Sequence, residues 1–568
     1  MSQKKLKKLK KMESVDSVKE GVWEAIPGFR QLIKENWKFL LGLSLGIFLL
    51  YFNSLKGDFV SDDYASIPQN PLVTNFSFMF QGFVSMSNWF LATVFGIVNP
   101  VPYHLFSLIL YIFICILAFI FLAIIFDKNL AKLSVVLFAV LPIHVEAVSW
   151  ISGKPYLFNA FFVLLSLIFL VLYLNTSKKK YLWIFFCLIP FTFFAEKIRF
   201  ISLIFLAILY IISFKERIRI NVNWGKFFLL LLGISLLLVV LLSSLIKSRI
   251  ESVNGGYNGS GGIFYDPFFQ YPTAVAKYLQ LALFPVDLTL YHTMYIFPIW
   301  LNWLIFLSYL SAVTYYFFKD KKVFFALAFI FTATAPSMAP VKVSWLVAER
   351  YLLLGSLGLC LFLVLFFQKF SEKWRLPFFI LFYAIIGTYS VRLYMRNIDW
   401  RTNHNLWVST CQVSPNSHNA WNNIGDDYDK LGQYENAIKG FTQSTVVKPN
   451  YADAYHNRAN IFFKTGRFDL ARDSYNTALI YSPGLYQTYL SLTQIDLTEK
   501  RYDLALEHSK KYVDMQPNDP QAWYVYGVVN IQAGLTEEAV KIFSMILKND
   551  PNNRAAKEAI LQLTQQKN

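Results

Sequence analysis

Two adjacent carboxylates, Asp62 and Asp63, stand in the segment GDFVSDDYASIPQNPLV. Neighbouring side chains point in different directions, so one carboxylate can serve as a general base while the other positions it. A solvated turn with an Asx cap would use the same two residues. Further on, LPIHVEAVSWISGK brings together His144, Glu146 and Lys154. A carboxylate at the edge of an apolar helix is costly without a partner, so Glu146 belongs either to an inter-helix pair or to a site. A metal site from Asp62, Asp63, His144 and Glu146 is compatible with these residue types, but no spacing requires it. Cations gather at FFAEKIRF, with Glu196, Lys197 and Arg199, and at PVKVSWLVAERYLLLGS, with Lys342, Glu349 and Arg350. Such clusters suit an anion, and a lipid phosphate above all, because guanidinium groups hold phosphate oxygens in pairs. An inter-helix salt bridge through Glu349 is the alternative. The Gly-rich loop 247–272, with NGGYNGSGG, reads as a gate or a linker. It is not a phosphate loop, since no G-K-[ST] follows.

The elements that must position these groups are membrane helices. The chain is 55% hydrophobic and 16% charged, against about 25% charged in soluble domains. A span needs about 20 apolar residues. Runs at 37–54, 104–126, 131–148, 156–174, 181–195, 200–214, 225–246, 296–318, 323–340, 350–368 and 375–394 qualify, some of them short. The run 273–291, with Pro285 and Asp287 inside it, reads as a re-entrant or interfacial helix. Basic residues at Lys4–Lys11, Lys178–Lys180, Lys215–Arg219 and the KDKK of 319–322 then fall on one side. That gives about eleven crossings, an inside N-terminus and an outside C-terminus. No apolar region follows the basic N-terminus for about 25 residues, which excludes a cleavable signal peptide. The net charge of +17 needs no nucleic acid: from Pro415 onward 16 Lys and Arg meet 17 Asp and Glu, so the excess is membrane-flanking and faces anionic lipid. Cys115, Cys187, Cys360 and Cys411 show no metal-type spacing and no disulfide framework.

Beyond residue 395 the apolar residues become periodic. Pro415, Pro449, Pro483, Pro517 and Pro551 are 34 residues apart. So are Trp421, Tyr455, Tyr489 and Trp523, and so are Ala437, Ala471, Ala505 and Ala539. Gly432, Gly466 and Gly534 keep the spacing, with Lys500 in the fourth slot. This period is the signature of tetratricopeptide repeats. Four units span about 418–553, and 554–568 reads as a capping helix. The expected fold is therefore all-α. A basic cytoplasmic segment at 1–36 precedes a transmembrane domain at 37–400, and an extracytoplasmic repeat domain occupies 401–568.

In order along the chain stand the Asp62-Asp63 loop, H-x-E-A-V-x-x-I-x-G from His144 to Gly153, A-E-R-Y-L from Ala348 to Leu352, R-N-x-D-W-R from Arg396 to Arg401, and the repeats. Together they resemble the transmembrane and tetratricopeptide-repeat protein O-mannosyltransferases, which are GT-C membrane glycosyltransferases. The resemblance covers nearly the whole chain. It implies a GT-C-like helical domain, a polyprenyl-phosphate-linked sugar donor and a Ser or Thr acceptor on an outer-side protein. The family's catalytic acid pair falls on Asp62 and Asp63, its second acidic motif on Glu146 and its lipid-phosphate arginine on Arg350. Three departures stand out. Lys154, Pro155 and Tyr156 follow Gly153 where the family has Arg and an acidic residue. The Lys-Glu corner appears as Glu196-Lys197. The Arg-Pro-Leu segment is missing from the first loop, although Tyr103-His104 remains.

These residues fit a single displacement with inversion. Asp62 or Asp63 takes the hydroxyl proton, while Arg350 with Lys154 or Lys197 steadies the leaving phosphate. Arg199, His104, His144 and Glu146 would bind or orient donor and acceptor. The concave face of the repeats, including Asn422, Tyr455 and Asn457, would hold the acceptor. The residues single out no certain cofactor, and a divalent cation is compatible with the carboxylates. Two alternatives stay open: en bloc transfer of a glycan from a polyprenyl diphosphate, and a non-enzymatic scaffold that recruits envelope proteins through its repeats. The compact, Lys/Phe/Ile-rich chain points to a bacterial inner membrane with periplasmic repeats, and the endoplasmic reticulum with lumenal repeats is the other setting.

Overall fold

The computed structural model describes residues 29–196, 199–219, 266–294, 297–338 and 345–565. Lys197, Lys342, the run expected to span at 225–246 and the NGGYNGSGG stretch lie outside these residues. The chain divides into two compact units, Met1–Leu406 and Trp407–Asn568. Every regular element among the described residues is helical.

Among the described residues of the first unit, four segments are long and apolar enough to cross a membrane: Phe29–Lys56, Val101–Ile125, Ile151–Thr176 and Ile299–Lys319. The helix Val101–Ile125 is buried along most of its length and packs against Lys128–Ala139 and Lys154–Thr176. An apolar surface on all sides makes it a core element rather than a peripheral one. The run expected at 131–148 is broken. Helix Lys128–Ala139 bends by 61° into Pro142–Ser149, because Pro142 brings no backbone N–H to continue the ladder. Counting this bent pair as one span gives five at most among the described residues, so eleven crossings are not established.

The two runs at 350–368 and 375–394 differ from expectation in another way. They belong to one 44-residue helix, Ser356–Asp399, which continues through the polar QKFSEKWRL stretch with Pro377 inside it. Polar residues interrupt an apolar run without interrupting a helix, since Gln, Lys, Glu and Arg are good helix formers. Glu349–Leu352 forms a separate 3-10 turn ahead of it. The doubtful 273–291 run is helical over Pro267–Leu283 and irregular from Phe284.

The second unit is a row of antiparallel helix pairs, from His418–Lys430 with Tyr434–Val447 to Pro520–Gln532 with Thr536–Asn549, followed by Arg554–Gln565. Ala437, Ala471, Ala505 and Ala539 are completely buried, as close helix approach requires. The repeating aromatic has a polar task as well. Trp421 Nε1 donates to Pro415 O at 2.7 Å, Tyr455 Oη to Pro449 O at 3.1 Å and Trp523 Nε1 to Pro517 O at 2.8 Å.

Candidate active site

The two adjacent carboxylates have opposite surroundings. Ser61 takes a left-handed backbone (φ 53°) that non-glycine residues rarely adopt. Asn403 Oδ1 holds this turn by accepting from Ser61 N at 2.8 Å. Asp62 follows it, exposed to solvent, while Asp63 is fully buried. Asp63 Oδ1 accepts from the backbone N–H of Ser152 at 2.7 Å and from its hydroxyl, and Oδ2 accepts from Val60 N at 3.1 Å. Burial nevertheless pushes the Asp63 carboxyl up to about 6.

The segment 146–156 carries the rest. Gly153 lies so close to the preceding turn that an added Cβ would stand 2.7 Å from Ala147 O. Beside it Lys154 is buried. Its Nζ donates to Asn88 Oδ1 at 2.6 Å and lies 5.0 Å from the Tyr103 ring centroid. Ser152 and Lys154 therefore fasten the two ends of the first loop, at Asp63 and at Asn88. Glu146 is fully buried and grips Arg350 twice: Oε2 accepts from Arg350 N at 2.8 Å, and Oε1 accepts from Nη1. Arg350 Nε donates to Tyr156 Oη at 3.1 Å. Arg199 stacks over the Tyr156 ring at 4.2 Å and the Tyr351 ring at 4.9 Å, with Nε donating to Ser337 Oγ at 3.1 Å. Two guanidiniums thus share a platform of two tyrosines, and each is also paired with a carboxylate, Arg350 with Glu146 and Arg199 with Glu196 at 3.8 Å.

Other proposed site residues fall elsewhere. His144 is locked inside the helices, with Nδ1 2.7 Å from Tyr111 Oη and Nε2 2.8 Å from Ser356 Oγ. Both ring nitrogens are thus engaged by neighbouring helices. His104 is buried against Gly57, where an added Cβ would lie 3.1 Å from its Nε2. Lys154 is committed to Asn88 and the rings rather than to the arginine cluster. The four candidate metal ligands are likewise divided among separate partners. Among the described residues no group of three or more His, Cys, Asp or Glu is placed to hold a metal ion. In the repeat unit Asn457 Nδ2 donates to Asn422 Oδ1 at 3.1 Å, joining two repeats. The Tyr455 ring packs on Tyr481 at 5.7 Å.

The inter-helix salt bridge given as the alternative at Glu349 is present: its carboxylate pairs with the buried Arg396 guanidinium at 3.2 Å. His292 lies 3.5 Å from that carboxylate, but burial holds that imidazole neutral with its pKa at about 3, so Arg396 supplies the balancing charge. Ser149 Oγ donates to Asn397 Oδ1 at 2.7 Å, Trp150 packs on Trp400 at 5.8 Å, and Asp58 N donates to Arg401 O at 2.8 Å. The R-N-x-D-W-R stretch is thus a clasp around the first loop and the 146–156 segment. The motif itself was the available signal; its partners, some 250–340 residues distant, were not.

A helical membrane unit with buried ionic anchors, joined to a tetratricopeptide-repeat solenoid, is the class these features define. Tetratricopeptide-repeat family models match residues 425–466, 452–485 and 496–563. Beyond the repeats, the chain is similar to the protein O-mannosyl-transferase TMTC3 of Homo sapiens, 24% identical over 466 residues that cover 70% of this chain and 50% of that protein. The Mus musculus protein of the same name is 25% identical over 463 residues, with the same shares. A shorter match, 29% over 106 residues, reaches the Drosophila melanogaster protein O-mannosyl-transferase Tmtc3, covering 18% of this chain and 11% of that one. The chain thus resembles this transmembrane and tetratricopeptide-repeat family, and it spans about half the length of the mammalian relatives. Among solved structures, MamA aligns with a TM-score of 0.25 and 19% identity, over 33% of this chain and 91% of that one. The TPR protein YrrB aligns with a TM-score of 0.25 and 17% identity, over 28% and 90%.

Proposed function

We propose that this protein is a membrane O-glycosyltransferase that moves a sugar from a polyprenyl-phosphate carrier to Ser or Thr hydroxyls of protein acceptors. One observation carries the reading. The single segment 146–156 holds the Asp62-Asp63 turn through Ser152 and the Arg350 guanidinium through Glu146 and Tyr156. A base and an anion-binding cation are thereby fastened to the same short stretch. The similarity to O-mannosyl-transferases supports the class of reaction.

Asp62, exposed at the turn, takes the acceptor proton as the hydroxyl oxygen attacks the anomeric carbon. Asp63 positions it through Ser152. Phosphate leaves without a proton because Arg350 and Arg199 balance its charge, so the second carboxylic acid of a glycosidase is unnecessary. One displacement inverts the anomeric centre. The repeats hold the acceptor chain and raise its effective concentration. The acceptors would be proteins of a periplasm or of an endoplasmic-reticulum lumen. Two guanidiniums on one aromatic platform also favour a second reading, a diphosphate-linked donor.

Intact-glycopeptide mass spectrometry of secreted and envelope proteins, wild type against Asp62→Asn, tests the proposal. Loss of a Ser/Thr-linked glycan, with the variant still present in the membrane, supports it. The mass of the lost glycan separates single-sugar from en bloc transfer. An unchanged glycan profile overturns the transferase reading and leaves the repeats as a recruiting scaffold.

A further inference from the structure

Around the turn Glu349–Leu352, buried side chains keep hydrogen-bonding capacity that no described residue uses. Glu349 Oε1 accepts from Thr289 N and pairs with Arg396, but Oε2 of the same carboxylate has no partner. Thr289 Oγ1, His292 Nε2 and Arg396 Nε have no hydrogen-bond partner either, nor have Trp150 Nε1 and Trp400 Nε1. All six side chains are buried. Short distances join them into one cluster. His292 Nε2 lies 3.5 Å from Glu349 Oε1, the Arg396 guanidinium 5.6 Å from the Trp400 ring centroid, and the Trp400 ring 5.8 Å from that of Trp150. Buried polar groups are normally paired, so a cluster of unpaired ones points to a ligand that pairs with them.

Lys277 adds a donor. It stands on the helix Pro267–Leu283, is 4% exposed and makes no hydrogen bond or ion pair among the described residues. Its charge acts on His292, and the carboxylates that act on it are Asp287 and Glu349. The balance of donors and acceptors selects the ligand. Trp150, Trp400, Arg396 and Lys277 only donate, the Glu349 carboxylate only accepts, and Thr289 and neutral His292 do either. A phosphate would satisfy the donors but be repelled by the carboxylate. A hydroxyl serves both kinds of group, and several hydroxyls on one small ring serve several groups at once. Indole N–H groups beside a carboxylate and an ammonium therefore fit a neutral sugar.

We propose that this cluster holds the sugar of the donor, a neutral hexose or N-acetylhexosamine, through the unpaired atoms of Thr289, Glu349 and Trp400. Its position agrees with the phosphate role given to Arg350. Arg350 follows Glu349 in the chain, and its guanidinium lies 5.3 Å from the Trp150 ring centroid. A sugar bonded to a phosphate that Arg350 holds must lie next to that guanidinium. Segment 284–294 is irregular and forms one wall of the cluster. Arg392 fastens it, with Nε donating to Pro285 O and Nη2 to Val286 O, each at 3.1 Å. This wall must shift to admit a ligand, and a segment with so few bonds opens more readily than the helices around it. The inference rests on the transferase reading for the identity of the carrier.

Binding of lipid probes to the full-length protein in nanodiscs tests it. Bare polyprenyl phosphate is compared with polyprenyl phosphates that bear mannose, glucose, galactose or N-acetylglucosamine. Wild type should bind at least one sugar-bearing lipid about tenfold or more tighter than the bare one. Trp400→Phe and Thr289→Val each remove one donor, on separate elements. Each should weaken binding of that lipid about three- to tenfold and keep the affinity for bare polyprenyl phosphate. Equal weakening for both lipids overturns the inference, because the cluster then serves the phosphate or the fold. Variants that retain the full preference for the sugar overturn it too. So does a wild type that binds every sugar-bearing lipid no tighter than the bare one, a comparison that stands even where a variant does not fold. Sugar-dependent binding together with an unchanged glycan profile in Asp62→Asn would leave this site standing and remove the transferase reading.

Discussion

The membrane unit and the repeat unit use charge in opposite ways. Around the candidate site of the membrane unit the anchoring partners are buried and far apart in sequence: Glu146 and Arg350 are 204 residues apart, Asp63 and Ser152 are 89, and Glu349 and Arg396 are 47. In the repeat unit Lys430–Asp426, Lys511–Glu507 and Lys510–Asp514 lie one helical turn apart on exposed surface. Pairs between repeats, such as Lys464–Asp429 at 35 residues, reach one unit away and no further. One triad is an exception: Asp496, fully buried, is held by Arg472 at 2.5 Å and by His508 at 2.6 Å. A solenoid can rely on neighbours because each unit packs only on the next. A site assembled from distant segments needs buried anchors, and each anchor fails badly when halved.

The widest contrast is expected on removing one partner. Glu146→Ala strands Arg350 in a buried position and should cost about 3–5 kcal/mol. Lys430→Ala breaks an exposed pair one turn long and should cost no more than about 0.5 kcal/mol, falling further in high salt. Denaturation of the membrane unit and of the repeats, followed separately by limited proteolysis with rising temperature, reads both. Equal losses would dissolve the comparison.

Proton linkage gives the next effect, and its sign differs between units. Burial raises Asp63 from 3.8 in the unfolded chain to about 6 in the folded protein. The folded state then holds the extra proton, so stability is greatest below the unfolded value and falls as pH rises from about 4 to about 6. The full loss is about 3 kcal/mol. Glu507 behaves oppositely. Its hydrogen bond to Lys511 lowers it from 4.5, so its contribution is present above that value and disappears as pH falls. Hydrogen exchange, corrected for intrinsic rates, should show peptide 58–66 better protected at pH 5 than at pH 7. Peptide 502–515 should lose protection only in more acid solution. Slower exchange of 58–66 at pH 7 would mean that Ser152 outweighs burial.

Glycine sharpens the contrast at a smaller scale. Gly153→Ala drives a Cβ to 2.7 Å from Ala147 O and 2.9 Å from Glu146 O, both backbone. Overpacking of this kind costs about 1–3 kcal/mol, and here it would also displace Ser152 and Lys154 from Asp63 and Asn88. A fall in melting temperature together with faster exchange at 58–66 is the expected pair of observations. A stable variant with unchanged exchange would show that the 146–156 segment does not fix the first loop.

The same contrast explains what was legible in the sequence. The repeats could be read to the residue, because a 34-residue period records contacts that recur locally. Adjacent Asp62 and Asp63 could be expected to diverge, but nothing local told which would face inward. That depends on Ser152 and Asn403, which fold back from distant segments. Lys154 looked like a free cation and His144 like a ligand for the same reason. Their partners Asn88, Tyr111 and Ser356 carry no signature of their own. Hydropathy alone did not fix the spans. It registers apolar runs, while a Pro-made bend at 142 and a helix continuing across 369–377 depend on backbone geometry.

The smallest expected effect is a gain, and it lies where the repeat pattern is broken. Gly432, Gly466 and Gly534 close their helix turns with φ of 71°, 73° and 77°. Lys500 occupies the equivalent slot and keeps the same left-handed backbone at φ 57°. The solenoid geometry therefore dictates this conformation whatever the residue, and a side chain there pays about 1 kcal/mol of steric strain that glycine escapes. Glycine is also more flexible in the unfolded chain, which offsets part of the gain. Lys500→Gly should stabilise the repeat unit by a few tenths to about 1 kcal/mol, seen as a later proteolytic midpoint at 407–568 with none at 29–406. Destabilisation would imply that the Lys500 side chain makes a contact worth more than its backbone strain. The third repeat would then depend on a particular contact, as the membrane unit does.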